Sequence, residues 1–199
     1  GHNDPRLTQL EVRRAQRRLA ALLRLPLPSL TRGVEPLLVV QYADGQFYEP
    51  HHDFFAAAPP SAARRGRVDI PVRDGRYAPP DGTNRFATVL LDLSDGDDAA
   101  GGHTIFPFAT APNATALDGI AMAGAAGAPG CDFPELQQRR GLMVRPRKGD
   151  ALVFYPQLPG GALDGRTRHG SCPVRRRGGH KAVAHAWFWN RHVIYGASA

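Results

Sequence analysis

The sequence predicts a mainly β domain with one helix packed on its outside. Short apolar runs recur along the chain between turns rich in glycine, proline and aspartate, as expected for strands. One stretch near the N-terminus instead has its apolar residues at helical spacing. The length of 199 residues fits one domain, residues 1–199, with a substantial core.

The composition is that of a globular protein, with 42% hydrophobic and 22% charged residues. The net charge is +7, but the basic residues are scattered in runs without interleaved aromatic residues, so we predict no nucleic-acid partner. No apolar run is long enough to span a bilayer, and no signal peptide is recognisable. Because the chain begins at Gly1 without an initiator methionine, we expect a truncated N-terminus with a targeting segment upstream. The sequence gives no indication of the oligomeric state.

The first predicted element is a helix, because residues 3–5, Asn-Asp-Pro, are typical of a helix cap followed by proline in the first turn. It ends near Leu25 and covers one face of the sheet. Strands are predicted at 37–42 and 85–93. Two hairpins are predicted from paired runs on either side of a turn, 142–145 with 151–155 and 169–174 with 180–190.

The stretch 41–55, QYADGQFYEPHHDFF, places His51 and Asp53 two residues apart. In an extended segment residues i and i+2 point to the same side, so an imidazole and a carboxylate can reach one metal ion together. Taken alone, the triplet is more typical of a polar turn than of a metal site. His169 supplies a second imidazole, and two histidines with one carboxylate form the facial triad of non-haem Fe(II) sites.

Lys181 follows twelve residues after His169, within an apolar run. A lysine in an apolar strand needs an anionic partner. We therefore predict that its ammonium group lies deeper in the same pocket and binds a dicarboxylate co-substrate beside the metal.

Six segments resemble, in order, the prolyl 4-hydroxylase family of Fe(II)/2-oxoglutarate oxygenases: QYADGQFYEPHHDFF, RFATVLLDLSD, GGHTIFP, RPRKGDALVFY, HGSCPV and HKAVAHAWFWN. The resemblance implies a double-stranded β-helix, a cupin-like jelly-roll of two facing sheets. It implies Fe(II) on His51, Asp53 and His169, with 2-oxoglutarate, O2 and ascorbate as further cofactors. The implied reaction hydroxylates C4 of a peptidyl proline in proline-rich or collagen-like proteins and releases succinate and CO2.

The resemblance also implies which residues bind the co-substrate. Lys181 would hold the far carboxylate of 2-oxoglutarate, with Tyr42 or Thr104 alongside. From the residues alone, Tyr42 and Tyr48 are better explained as core aromatic residues whose hydroxyls are satisfied locally. His103 stands where the family commonly has glutamate, so we assign it no metal role.

Tyr48, Arg85 and Trp187 are the residues that the resemblance assigns to the substrate peptide. Tyr48 would line the mouth of the pocket, Arg85 would contact the peptide at the start of a strand, and Trp187 would lie near its groove. A surface arginine at a strand end explains Arg85 equally well. Two residues depart from the family: Ala182 stands where a tryptophan is usual, and Trp189 stands where a histidine is common in the plant and algal branch.

Two segments show no sustained period. Residues 56–84 are predicted to be a mobile substrate loop with a brief strand at 68–72, and residues 109–130 a flexible insertion. The remaining histidines are predicted to be hydrogen-bonded or exposed residues without a functional role: His52, His180, His185 and His192.

Cys131 and Cys172 are the two cysteines of the chain and admit one intramolecular pairing. Two buried free thiols in a cytosolic protein are the alternative. The resemblance favours the disulfide, since a family cysteine at the position of Cys172 often pairs with one upstream. The sequon at 113–115, Asn-Ala-Thr, also fits a secretory compartment, so we predict the endoplasmic reticulum or secretory pathway.

Two other functions are compatible with the sequence. A 2-oxoglutarate oxygenase that acts on a lysyl, nucleic-acid or small-molecule substrate would keep the same iron site. A non-catalytic jelly-roll binding module would keep the fold alone. Iron-dependent turnover of the co-substrate and hydroxylation of a proline-rich peptide separate these functions.

Overall fold

Two facing antiparallel sheets form the body of the fold, with one helix outside them. The computed structural model describes residues 9–25, 33–57, 77–78, 82–96, 101–110, 120–122, 131–134, 136, 141–175 and 179–190. The predicted helix cap at 3–5, the predicted strand at 68–72 and His192 lie outside these residues.

The first sheet has four strands, which lie in the order β1 (Leu38–Tyr42), β11 (Lys181–Trp189), β5 (Arg85–Asp92) and β9 (Ala151–Phe154). The second sheet has five, in the order β2 (Tyr48–His51), β10 (His169–Ser171), β6 (Thr104–Phe106), β8 (Leu142–Val144) and β7 (Ile120–Met122). A small parallel pair joins β3 (Ala56–Ala57) to β4 (Tyr77–Ala78), and a 3-10 turn spans Gly165–Thr167.

The two predicted hairpins are wrong, because in each case the consecutive strands belong to opposite sheets. β8 pairs with β6 and β7, whereas β9 pairs with β5. β10 pairs with β2 and β6, whereas β11 pairs with β1 and β5. The turn after β8 makes its bonds to the end of β5 instead of closing a hairpin: Gly149 donates to the Asp92 carbonyl and the Lys148 N–H donates to the Asp95 side chain. The residues of a turn do not reveal whether the strands on either side pair with each other or with strands of opposite sheets.

The helix α1 (Gln9–Leu22) packs on the outer face of the first sheet. Its buried Leu19 joins a cluster with Val34, Ala87, Val89, Ala186 and Phe188, which project outward from the strands or precede them. The helix ends where Arg24 takes a positive φ of 54° and the Leu25 N–H bonds back to the Ala20 carbonyl. None of the helices in the described part of the chain has the length and apolar character of a membrane-spanning segment.

The core between the two sheets is a second apolar cluster, formed by Tyr42, Leu90, Phe106, Phe154, Val174 and Val183. Cys131 and Cys172 form a disulfide, and their Cα atoms are 5.0 Å apart. Together with Ile105 they form a third buried cluster. The structure thus contains the bond that the sequence predicted. Strand β7 lies inside the segment 109–130, so this part of the predicted flexible insertion belongs to a sheet. Most of that segment, and most of 56–84, lies outside the described residues.

Candidate active site

Three predicted metal ligands converge at the edge of the second sheet. Strands β2 and β10 are antiparallel neighbours, and their register sets His169 directly opposite His51. Asp53 follows β2 by two residues. Its Oδ1 lies 3.9 Å from His51 Nε2, and its Oδ2 lies 3.7 Å from His169 Nε2. One ligand atom from each of the three residues lies within 4.8 Å of the others, which is a separation that one metal ion can bridge.

Backbone carbonyl groups orient both imidazoles. His51 Nδ1 lies 2.8 Å from the Glu49 carbonyl oxygen, and His169 Nδ1 lies 3.0 Å from that of Thr167. A carbonyl oxygen only accepts hydrogen bonds, so each Nδ1 carries the proton. Each Nε2 is then unprotonated, and its lone pair is available to a metal ion. His169 Nε2 is buried without a hydrogen-bond partner among the described residues. The donor set and this unpaired nitrogen fit a metal ion of the Fe(II) type.

The electrostatics of the triad favour the metal-binding protonation states. Burial raises the pKa of Asp53, but His169, the 2.8 Å hydrogen bond from the Thr88 hydroxyl and the Arg85 guanidinium together hold that pKa below its ordinary value. Burial lowers the pKa of His169 to about 4, against the opposing effect of Asp53. The group therefore offers a carboxylate and a neutral imidazole, as metal coordination requires.

Lys181 is only 4% exposed and packs against β10, the strand that also carries His169. Its ammonium group donates hydrogen bonds to Ser171 Oγ at 2.9 Å and Thr104 Oγ1 at 3.2 Å, and it lies 5.6 Å from the ring centroid of Tyr42. Burial lowers its pKa to about 8, against the effect of Asp92. The structure thus brings together the three predicted co-substrate residues. Ser171 was missed, although its i+2 spacing from His169 signals a residue on the same face.

Asp92 is a second buried group that the sequence analysis missed. It is 6% exposed at the end of β5. Burial raises its pKa to about 6, and the charge of Lys181 opposes that rise. Its spacing of four residues from Thr88 in a strand was the available signal, since both side chains then lie on the inner face.

Arg85 is held by a buried carboxylate that the sequence analysis did not identify. Its guanidinium binds both carboxylate oxygens of Glu35, with Nη2 at 2.8 Å from Oε2, and the Trp189 indole donates to the same carboxylate at 2.8 Å. The guanidinium also lies between the rings of Phe55 and Trp187, 4.6 and 4.1 Å from their centroids. Its Nη1 lies 3.8 Å from Asp53 Oδ1. Arg85 is therefore not a free surface arginine but links the metal-binding carboxylate to the first sheet.

The other two predicted substrate residues, Tyr48 and Trp187, differ in exposure. Tyr48 is 51% exposed, and its ring centroid lies 4.2 Å from that of His51. Trp187 is buried, and its indole N–H has no hydrogen-bond partner among the described residues. An exposed aromatic ring beside a metal-binding histidine suits an apolar substrate group.

The other histidines divide into two kinds. His180 is exposed, as predicted. His185 is buried, and neither of its ring nitrogens has a hydrogen-bond partner within the described part of the chain. The prediction that His185 is either exposed or hydrogen-bonded is therefore wrong.

Comparisons with known proteins agree with the resemblance found in the sequence. The chain is 36% identical over 153 residues to probable prolyl 4-hydroxylase 9 of Arabidopsis thaliana, and 35% identical over 156 residues to prolyl 4-hydroxylase 5 of the same plant. Each alignment covers 77% of this chain, and the chain spans 40% and 41% of the length of these relatives.

Among solved structures, the fold resembles that of a viral collagen prolyl hydroxylase from Paramecium Bursaria Chlorella virus-1, with a TM-score of 0.54. The match covers 91% of this chain and 73% of that one, at 20% identity. The predicted double-stranded β-helix is confirmed. The family model described as "2OG-Fe(II) oxygenase superfamily" matches residues 37–189 of the chain. This range includes all three predicted metal ligands and Lys181. The chain belongs to this superfamily.

Proposed function

We propose that this chain is the catalytic domain of a prolyl 4-hydroxylase that depends on Fe(II) and 2-oxoglutarate. The observation that carries the proposal is the contact of a buried ammonium group, Lys181, with Ser171, which lies two residues from His169 of the His51, Asp53 and His169 group on the same strand. A cation buried at one end and a metal site at the other match a dicarboxylate that also chelates the metal.

In this proposal, His51, Asp53 and His169 hold Fe(II) through two Nε2 atoms and one carboxylate. Lys181 binds the far carboxylate of 2-oxoglutarate, and Ser171 and Thr104, which already contact the ammonium group, line the same end. When bound, Fe(II), 2-oxoglutarate and O2 supply the oxidising chemistry that hydroxylates the substrate and releases succinate and CO2.

The chain's own contribution is to fix geometry and exclude water. Glu49 and Thr167 fix the two imidazole rings through their carbonyl groups, and Thr88 holds one oxygen of Asp53. His169, Asp53 and Lys181 are each at most 4% exposed, so charges inside the pocket are weakly screened.

The proposed substrate is a proline-rich or collagen-like peptide, hydroxylated at C4 of proline. A polyproline II segment is already extended, so it loses little entropy when it binds an aromatic groove. Tyr48 supplies an exposed aromatic ring beside His51, and behind it lie the mostly buried Arg85 and Trp187, with the Arg85 guanidinium between the rings of Trp187 and Phe55. The names of the relatives, which are prolyl hydroxylases, support this substrate class.

We further propose that the protein works in the endoplasmic reticulum or secretory pathway with ascorbate as reductant. The Cys131–Cys172 disulfide supports an oxidising compartment. Ascorbate follows from the chemistry, because Fe(II) that becomes oxidised without productive turnover needs a reductant.

The test is a hydroxylation assay with purified protein, Fe(II), 2-oxoglutarate, ascorbate and a panel of peptides. We expect succinate release together with the gain of one oxygen atom on a proline-rich peptide, measured by mass spectrometry. Asp53→Ala should abolish both products while leaving the fold intact. Asp132→Ala, which removes an 84% exposed carboxylate, is the matched control and should leave both unchanged.

Each alternative function gives its own result in this assay. Succinate release without a gain of oxygen on any proline peptide would assign the site to another substrate, such as a lysyl, nucleic-acid or small-molecule substrate. No iron-dependent succinate release under any condition would favour a binding module. Undiminished succinate release by Asp53→Ala would contradict the metal assignment.

A further inference from the structure

His185 is a buried polar side chain that the proposed chemistry does not yet use. It lies in the middle of β11 and is 7% exposed. Neither ring nitrogen has a hydrogen-bond partner among the residues that the structure describes. A buried imidazole with both nitrogens unpaired is unfavourable for folding alone, so the side chain calls for a ligand.

The direction of this side chain is set by the strand. Residues i, i+4 and i+6 of a strand share a face, so Lys181, His185 and Trp187 all point into the space between the sheets. The ring centroids of His185 and Trp187 are 5.2 Å apart. His185 therefore lies on the inner face between Lys181 and Trp187.

His185 lies beside the metal-binding group without being part of it. Asp53, His169 and His51 are close enough to influence its pKa, as is Lys181. The described cluster of potential metal ligands nevertheless comprises only His51, Asp53 and His169. Burial keeps the imidazole neutral, and a neutral imidazole has one N–H donor and one acceptor nitrogen.

We propose that His185 donates a hydrogen bond to the carboxylate at the metal-chelating end of 2-oxoglutarate. The proposal rests on the function proposed above. The Cα atoms of residues i and i+4 in a strand are roughly 13 Å apart. Thr88, whose hydroxyl binds Asp53, lies opposite Trp187 on the neighbouring strand β5, two residues beyond His185. A co-substrate that runs from Lys181 to a metal ion on Asp53 therefore passes beside His185. The two residues of β11 hold opposite ends of the same molecule.

The experiment measures equilibrium binding without turnover. The protein is loaded with Mn(II) in place of Fe(II), and titration calorimetry gives the dissociation constants of 2-oxoglutarate and of pyruvate. Pyruvate keeps the chelating 2-oxoacid end and lacks the far carboxylate, so it isolates the end assigned to His185.

His185→Phe keeps a ring of similar shape and removes the N–H. We expect it to weaken the binding of 2-oxoglutarate and of pyruvate by the same factor, about tenfold, as a lost hydrogen bond to a charged group predicts. Lys181→Ala is the matched control on the same strand. It should weaken the binding of 2-oxoglutarate but not that of pyruvate. Binding of Mn(II) in the absence of either acid should be the same in all three proteins, which checks that the site is folded.

Unchanged 2-oxoglutarate and pyruvate affinity in His185→Phe would overturn the proposal, and a concurrent loss of peptide affinity would assign His185 to the substrate groove. If the phenylalanine variant fails to bind Mn(II), His185→Leu removes the same donor with a smaller side chain and gives the same test. A parent protein that binds Mn(II) but not 2-oxoglutarate would overturn the proposed function as well, so the two failures are distinguishable.

Discussion

Glu35 and Arg85 form a buried ion pair that connects the first sheet to the metal-binding carboxylate. Both carboxylate oxygens of Glu35 accept hydrogen bonds from Arg85, and the remaining guanidinium nitrogen lies 3.8 Å from Asp53 Oδ1. Glu35 also accepts the Trp189 indole N–H, so one carboxylate neutralises the arginine and positions an aromatic ring. The orientation of Asp53 therefore depends on a residue that precedes β1.

Glu35→Ala should destabilise the protein by about 3 kcal/mol, because it leaves the mostly buried Arg85 guanidinium with Asp53 as its nearest counter-charge. Urea unfolding measures this change. Glu35→Gln keeps an acceptor for the Trp189 indole and should lower the free energy of unfolding by less. A loss below about 1 kcal/mol for the alanine variant would mean that Asp53 and water satisfy Arg85 without Glu35.

Lys181→Ala should raise the KM for 2-oxoglutarate by about two orders of magnitude, because a carboxylate is then buried without its cation. Initial rates of succinate formation at varied 2-oxoglutarate measure the effect. Lys148, the other lysine of the chain, is exposed in a turn, so Lys148→Ala is a matched control that should not change KM. Equal co-substrate dependence in the two variants would show that Lys181 does not bind 2-oxoglutarate.

Asp92→Asn should change how stability depends on pH. Because burial raises the folded-state pKa of Asp92 to about 6, the folded protein holds the proton more tightly than the unfolded chain does. The contribution of Asp92 is therefore favourable below about pH 4 and is lost as the pH rises toward 6. Relative to the parent, the asparagine variant should gain roughly 2 kcal/mol between pH 4 and pH 7.

Urea unfolding at the two pH values gives this difference, and Asp44→Asn, at an exposed position, is the control. A parent-to-variant difference that does not change with pH would indicate that Asp92 stays ionised throughout.

Reduction of the Cys131–Cys172 bond should lower the free energy of unfolding by about 4 kcal/mol, the chain-entropy value for a closed loop of this length. The two residues are 41 positions apart. Because the chain has no other cysteine, a thiol reductant acts at this bond alone, and thermal melts with and without reductant measure the effect. Cys131→Ser/Cys172→Ser should melt like the reduced parent. Equal melting temperatures with and without reductant would contradict the prediction.

The structure brings together the three side chains that the sequence predicted as metal ligands, and the signal for them is local or carried by whole segments. His51 and Asp53 share a face through their i+2 spacing, and the ordered segments of the family resemblance brought in His169 and Lys181. The strands at 37–42 and 85–93 were also predicted closely, since each is an apolar run between turns. The structure has them as Leu38–Tyr42 and Arg85–Asp92.

The sequence failed where the answer depends on which distant segment becomes the neighbour. A turn between two apolar runs looks the same whether the second run folds back on the first or crosses to the other sheet, so both hairpins were misassigned. Glu35 carries no unusual local pattern, and strand spacing assigns Asp92 and Ser171 only to a face, without a partner. They become notable only when tertiary packing buries them beside Arg85 and Lys181.

The interleaving of the strands has a mechanical consequence. His51 and His169 are rooted in the five-stranded sheet, whereas Lys181 is rooted in the four-stranded sheet. A 2-oxoacid that binds both the metal ion and Lys181 would link the two sheets and restrain their relative motion. Amide protons of β10 and β11 should therefore exchange more slowly once metal and 2-oxoacid are bound together than with metal alone.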